Sequence, residues 1–194
     1  MSVLVLGYGN ASCGDDGVGW QLGCDLDHDL LLENVQVLAR HQLTIELATE
    51  ISAAELVIFV DASIDGTPGE IRCVSVEPAP ASALLLFHHL TPAALMACAS
   101  ALYGVCPPAI LLTITGGAFG YGEQFSDAVR KALPRAQALL RALIEGRLSG
   151  NDSPGHEVAM VEGWPNDTRS PLETIGSDPI RPVQTEEGEK ETLV

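Results

Sequence analysis

The stretch VLVLGYGNASCGDDGVG, residues 3 to 19, decides the fold of this chain. Its first four residues are all Val or Leu, and an uninterrupted apolar run of this kind is typical of a strand buried on both faces. Glycines end the run at once, and after Gly17 apolar residues recur at rough helical spacing towards Leu26. A buried strand, a glycine-rich loop and a helix in this order predict the start of an α/β domain, with this strand central in its sheet.

The alternation of strand and helix continues to about residue 145. Apolar β-prone runs predict further strands at residues 35–38, 56–60 and 109–115. Helical spacing predicts helices at residues 44–54 with Thr44 as N-cap, at 91–103 with Thr91 as N-cap, and from Ser126, the last bent or interrupted at Pro134. A polar turn at residues 65–69 predicts a hairpin into a strand at 71–76. We therefore expect a three-layer α/β/α sandwich with a mostly parallel, mixed sheet.

The end of the chain has a different composition. Residues 145–194 contain 11 acidic and 4 basic residues, and their apolar residues occur singly without a period. This composition is typical of a segment that cannot bury enough apolar surface to fold. We expect one domain over residues 1–145 and an acidic, disordered tail over 146–194.

Charge and cysteine spacing narrow the class of protein. Ten Lys and Arg against 26 Asp and Glu give a net charge of −16, which disfavours binding to nucleic acid or to an anionic membrane surface. No apolar run reaches the roughly 20 residues that a membrane span needs, and no signal peptide is visible. Five cysteines without a CxxC pair indicate reduced thiols rather than disulfides or a zinc site. We expect a soluble, cytoplasmic monomer.

Acidic side chains follow two of the predicted strands. Asp15 and Asp16 come after the first strand, and Asp61 comes directly after residues 56–60. The carboxyl ends of strands in an open α/β sheet are where ligands bind, so Asp61 is a candidate for a cleft. Asp15 and Asp16, as adjacent carboxylates after a strand and loop, are suited to holding a cation. Asp15 and Asp16 could equally stabilise a helix N-terminus, with one side chain turned to the helix and one to the cleft. Asp61 could equally be a turn-forming residue.

The glycine-rich loop and a histidine pair leave alternatives open. The loop suggests a dinucleotide site, but Ser12 replaces the third glycine of GxGxxG and two aspartates would face the pyrophosphate. His88 and His89 precede a predicted helix, where a histidine is more often a surface or packing residue than a metal ligand. Spacing alone does not decide between these interpretations.

Residues 7–19 closely resemble the opening G-x-G-N-x-x-x-x-D-D/E-G-x-G of the hydrogenase maturation proteases. The resemblance continues in VIFVDA at residues 57–62, which is similar to the family's apolar strand ending in D-A. It continues again in HHLTP at residues 88–92, which is similar to the family's H-x-L-S/T/G helix start. It spans about residues 1–145 and implies a phosphorylase/hydrolase-like α/β/α sandwich.

The resemblance also implies a reaction and a site. Proteases of this family cleave a C-terminal peptide from the nickel-loaded large-subunit precursor of a nickel-iron hydrogenase. Asp16, Asp61 and His88 would be the catalytic and metal-contacting set, with His89 as the alternative histidine. The nickel would come from the precursor, so no tightly held cofactor is expected. A nickel-binding assembly chaperone that releases the same client uncut is the competing function, and a nucleotide-dependent enzyme is a third.

The chain departs from the family after its second predicted strand. The family often carries a flexible Asp-Gly-Gly loop there, whereas this chain has ARHQL at residues 39–43. His41 could be a further nitrogen donor or a general base, or simply a solvated residue beside Arg40. The family's contacts between this loop and the substrate are therefore not transferred to this chain.

Overall fold

The computed structural model describes residues 2–27, 34–80, 90–122 and 124–148. Within these ranges the strands are β1 Val3–Tyr8, β2 Val35–Arg40, β3 Leu56–Ser63, β4 Ile71–Ser75 and β5 Ala109–Thr115. The α-helices are α1 Val18–Asp27, α2 Ala48–Ala53, α3 Pro92–Tyr103 and α4 Asp127–Leu148. Short 3-10 helices precede α1 at Gly14–Gly17 and α2 at Ile45–Leu47. The predicted tail lies outside the described residues except for its first three positions, which belong to α4.

The five strands form one sheet in the order β2-β1-β3-β5-β4. The pairs β1–β2, β1–β3 and β3–β5 are parallel, and β4 is antiparallel to β5, so the predicted mixed sheet is confirmed. The first strand, predicted to be central, lies inside the sheet between β2 and β3, and β3 holds the middle position. The predicted hairpin between β3 and β4 is wrong. The turn crosses to β5, where Thr115 exchanges backbone hydrogen bonds with Gly69 and Glu70.

A hydrophobic core lies on each face of the sheet, where the helices pack against the strands, and this confirms the three layers. On one face Val3, Val5 and Ile58 pack with side chains of α1 and α4. On the other face Leu4 and Phe59 pack with side chains of α2 and α3. Because successive strand residues point to opposite faces, an entirely apolar strand is required wherever both faces are covered.

Several element boundaries differ from their predicted positions. The helix predicted at residues 44–54 begins as a 3-10 turn, and Thr44 makes no capping hydrogen bond with its side chain. Strand β3 continues past Asp61 to Ser63, because its last residues pair with the end of β5. Pro134 lies within α4 without ending it. The helix α3 is capped as predicted, since Thr91 Oγ1 accepts the Ala94 N–H at 3.2 Å.

Two general sequence expectations can be compared with the described part of the chain. None of its helices is both long enough and apolar enough to cross a membrane. All five cysteines fall within the described ranges, and none of them is joined in a disulfide.

Glycines let helix α1 lie directly against the strands. A Cβ atom on Gly19 would collide with the carbonyl oxygen of Val60, and one on Gly7 would collide with the carbonyl oxygen of Gly19. Gly9 has a φ of +139°, and its Cβ would collide with the carbonyl oxygen of Asp16. The glycine pattern of residues 7–19 is therefore explained by close backbone packing around the loop that carries Asp16.

Replacing Gly19 tests this packing. Gly19→Ala should lower the free energy of unfolding by about 1–3 kcal/mol, because backbone atoms of β3 block the added methyl group. Gly146→Ala is the matched control, since a methyl group added to this exposed glycine of α4 would meet no heavy atom and alanine favours helix by about 0.5–1 kcal/mol. Urea unfolding of both variants measures the difference. Equal stability of the two variants would contradict the close packing.

Candidate functional site

The order in which strands are added to the sheet reverses at β1, because β2 lies on one side of it and β3 on the other. The chain leaves β1 through α1 on one face to reach β2, then returns through α2 on the other face to β3 on the far side of β1. The chain leaves the carboxyl end of β1 towards α1 on one face, whereas α3, which follows β3 and β4, lies on the other face. A crevice remains between the carboxyl ends of β1 and β3. In open α/β sheets this topological switch point is the usual place for a ligand.

A cleft with a volume of about 430 Å³ opens at this point. Its base is formed by the ends of β1 and β3, and its walls by the segments that lead into α2 and α3. It is lined by Tyr8, Gly9, Asp16, His41, Gln42, Leu43, Asp61, Leu90, Thr91 and Pro92. The lining contains two carboxylates and no Lys or Arg, so the described walls of the cleft favour a cationic ligand.

Asp16 reaches the cleft from the 3-10 helix Gly14–Gly17. Its Oδ2 accepts the Asn10 backbone N–H at 2.8 Å, which fixes the carboxylate across the mouth of the glycine-rich loop. Asn10 in turn accepts the Ser12 N–H on its side-chain oxygen at 3.0 Å. The loop is therefore folded around the Asp16 carboxylate.

Asp61 reaches the cleft from β3 and is half-buried. Burial raises the pKa of its carboxyl group to about 6, although hydrogen bonds from Tyr8 and from the Ala62 N–H act in the opposite direction and the charge of Asp16 adds to the rise. The Ala62 N–H lies 2.8 Å from Asp61 Oδ1. Burial, together with the Asp61 charge, raises the pKa of the Tyr8 hydroxyl far above its ordinary value, so this hydroxyl stays protonated and donates.

Asp15 has a different environment, although it is the neighbour of Asp16. It is fully buried, and its Oδ2 accepts the N–H groups of Gly117 at 2.7 Å and Ala118 at 2.9 Å, while Oδ1 accepts the N–H of Ser126 at 2.7 Å. Burial alone would raise the pKa of this carboxyl group, but the hydrogen bonds outweigh burial and the pKa is lowered. Asp15 thus anchors the segment after β5 and does not cap a helix.

The backbone of the glycine-rich loop is also occupied. The Gly9 N–H donates to Arg40 O, the Gly14 N–H to Gly122 O, and the Asp15 N–H to Ala118 O. A phosphate cradle needs several backbone N–H groups that point at the ligand. Because these donors and that of Asn10 are taken within the protein, the structure disfavours the dinucleotide interpretation.

The histidine predictions have different outcomes. His88 and His89 lie outside the described residues, and the described chain resumes at Leu90, which lines the cleft. His41 is exposed and lines the same cleft as the two aspartates. Across the described ranges no group of three or more His, Cys, Asp or Glu side chains is arranged to hold a metal ion. A complete ligand set would therefore need a group from outside those ranges.

Sequence reasoning missed Tyr8 in the cleft. Residues 4, 6 and 8 of β1 lie on the same face of the sheet. Gly7 pairs with Val60, so the next positions along the two strands are Tyr8 and Asp61. The register between the two strands was the signal that could have placed them together. It depends on a pairing between distant segments, which the local pattern does not show.

The anchoring role of Asp15 predicts a pH-dependent stability difference. Asp15→Asn should lower the free energy of unfolding by about 1–3 kcal/mol at pH 7, because an amide cannot accept three N–H groups with both of its terminal atoms. Since the folded-state pKa is lowered, this contribution is complete above the ordinary carboxyl pKa of about 3.9 and is lost as the pH falls through the folded value. Asp16→Asn is the control, with an expected cost below about 1 kcal/mol. Denaturant unfolding at pH 7 and pH 3 measures both.

The charge of Asp61 should affect the free energy of unfolding with the opposite sign to that of Asp15. Its folded-state pKa is raised to about 6, so ionising Asp61 lowers the free energy of unfolding. The whole cost is present above about pH 6, and none of it is present below the pKa of the unfolded state. Asp61→Asn removes the charge and should raise the free energy of unfolding at pH 7 by about 1–3 kcal/mol. The gain should vanish near pH 4. A variant that is less stable than the wild type at pH 7 would show that Asp61 is held for stability.

The chain matches no protein-family model and no curated protein sequence. It is similar in structure to HycI, a [NiFe] hydrogenase maturation protease from Thermococcus kodakarensis KOD1, with 21% identity, a TM-score of 0.60, and coverage of 74% of this chain and 92% of that one. The hydrogenase maturating endopeptidase HybD from E. coli gives 21% identity, a TM-score of 0.62, and coverage of 77% and 94%.

A hydrogenase 2 maturation peptidase from Thaumarchaeota archaeon SCGC_AB-539-E09 gives 25% identity, a TM-score of 0.55, and coverage of 72% of this chain and 96% of that one. These structures are covered almost completely, while this chain extends beyond the shared part. The sequence resemblance and the structural similarity agree, and the chain has the mixed α/β/α fold of the hydrogenase maturation proteases.

Proposed function

We propose that this protein is an endopeptidase that removes the C-terminal peptide from the nickel-loaded large-subunit precursor of a nickel-iron hydrogenase. In this proposal Asp16, Asp61 and His88 contact the nickel that the precursor carries. The solved structures with the same fold are named hydrogenase maturation proteases or endopeptidases, which supports the reaction class. The protein would act as a monomer in the cytoplasm, where its cysteines would stay reduced.

One observation carries the proposal. Asp16 and Asp61 come from segments 45 residues apart and line the same cleft at the switch point of the sheet. The cleft wall continues at Leu90, the residue that follows the histidine pair in the sequence. Two of the three residues implied by the family resemblance thus line one cleft, and the third, His88, stands two positions before Leu90 in the sequence.

The donor set suits the substrate metal. Carboxylate oxygens and imidazole nitrogens are ligands that nickel and other borderline divalent ions accept. Two aspartates in a cleft without described Lys or Arg would also attract a cation before direct contact. In this proposal the precursor supplies the remaining ligands of its own metal. Three ligands from this chain are therefore sufficient, although they do not complete the coordination of the metal.

Binding the precursor through its metal would place the scissile peptide beside the two carboxylates. Positioning of this kind accounts for much of the rate in many enzymes. A water molecule then attacks the peptide carbonyl and loses a proton to a nearby group, and a proton is delivered to the peptide nitrogen as the C–N bond breaks. Asp16 and Asp61 both line the cleft, and a carboxylate at this place is suited to accept the proton. Polarisation of the carbonyl by the substrate nickel is the alternative route.

A nickel-binding chaperone would use the same three residues but release its client uncut. The two functions differ in one product, because only the peptidase shortens the precursor. The nucleotide-dependent enzyme has less support, since the donors of the glycine-rich loop are bonded within the protein.

Processing by site variants tests the proposal. Wild-type protein incubated with nickel-loaded precursor should give a shortened large subunit, and Asp61→Asn or His88→Ala should abolish this product. His89→Ala is the matched control and should retain processing, because only His88 stands two residues before Leu90 as in the family pattern. The products are separated by size and weighed, and the thermal unfolding of each variant is recorded to show that it folds.

The possible outcomes separate the assignments. Full processing by Asp61→Asn would reject Asp61 as a catalytic residue. Loss of processing in His89→Ala but not in His88→Ala would move the histidine role to His89. Tight binding of the precursor without any shortening by the wild-type protein would favour the chaperone.

A further inference from the structure

Tyr8 lies beside Asp61 at the base of the cleft. It is the last residue of β1, and the parallel register pairs Gly7 with Val60, so the next residue on each strand is Tyr8 or Asp61. Tyr8 packs with Leu4 and Leu6 against the core that also contains Phe59. Tyr8 therefore packs against this core and also lines the cleft.

Tyr8 and Asp61 are neighbours in the strand register and both line the cleft, and the Tyr8 hydroxyl acts on the Asp61 carboxylate as a hydrogen-bond donor that lowers its pKa. Asp61 also accepts the Ala62 N–H at 2.8 Å, so it is held by one donor on its own strand and one on the neighbouring strand. Donors from two strands restrict rotation of the carboxylate more than either donor alone. Asp16 obtains comparable support from the backbone of Asn10.

We propose that Tyr8 is a positioning residue, whose hydroxyl orients the Asp61 carboxylate towards the metal carried by the substrate. This inference rests on the proposed function. Residues that hydrogen-bond to metal-contacting groups fix the orientation of those groups, and their loss typically weakens metal affinity by about 10- to 100-fold. A phenylalanine at position 8 would fill the same space in the core but leave Asp61 with only the Ala62 donor.

The test compares the same change, tyrosine to phenylalanine, at two positions. Tyr8→Phe should weaken the equilibrium affinity for nickel-loaded precursor by about 10-fold or more and leave the affinity for nickel-free precursor unchanged. Tyr103→Phe is the matched control, because the Tyr103 hydroxyl is hydrogen-bonded to Thr49 at 2.8 Å on the surface between α2 and α3. It should change neither affinity. Binding is measured by calorimetry at a temperature where both variants are folded.

A double-mutant cycle shows whether Tyr8 acts through Asp61. In the Asp61→Ala background, Tyr8→Phe should cause no further loss of affinity for nickel-loaded precursor. An undiminished affinity of Tyr8→Phe in the wild-type background would overturn the inference. Equal losses for nickel-loaded and nickel-free precursor would also overturn it, since they would indicate a general structural defect.

Failure of the proposed function would be seen separately. If the wild-type protein neither binds nor cuts the precursor, the proposed function is rejected, and the link between Tyr8 and Asp61 is read from unfolding free energies of the same four proteins. Coupling between the two substitutions in that cycle supports orientation of Asp61 by Tyr8. Strict additivity overturns it.

Discussion

The rest of the site depends on the hydrogen bonds that the buried carboxylate of Asp15 accepts. It accepts three backbone N–H groups from residues 117, 118 and 126, which are more than 100 positions away in the sequence. These bonds join the loop after β1 to the segment between β5 and α4. A buried charge is tolerated only when its hydrogen bonds are satisfied, so the arrangement leaves little freedom to either segment. Asp16 follows in the chain and is held at the edge of this junction.

Asp15 and Asp61 therefore have different tasks. The environment of Asp15 stabilises its charged form and serves the fold, whereas burial of Asp61 disfavours its charged form. A carboxyl group kept at a cost in folding free energy, in a cleft at the switch point of a sheet, is typical of a functional residue. The opposite pKa shifts distinguish the structural aspartate from the functional candidate, although both follow apolar strands.

Local sequence patterns predicted most of the architecture, because the strands are apolar on both faces and the helices are marked by caps such as Thr91. They predicted β4 as a strand but gave it the wrong neighbour, since β4 pairs with β5 and not with β3. They also failed for the start of α2, which is held by packing rather than by a cap. In the site, strand ends predicted Asp61 and the acidic pair. The partners of Asp15 and the contact between Tyr8 and Asp61 required the tertiary structure.

The most direct measurement is the intact mass of a hydrogenase large-subunit precursor after incubation with this protein, with and without nickel in the precursor. We predict that the nickel-loaded precursor loses one C-terminal peptide, and that the nickel-free precursor keeps its full mass because it has no metal for Asp16, Asp61 and His88 to contact. An unchanged mass of the nickel-loaded precursor, or equal cleavage of both forms, would contradict the account.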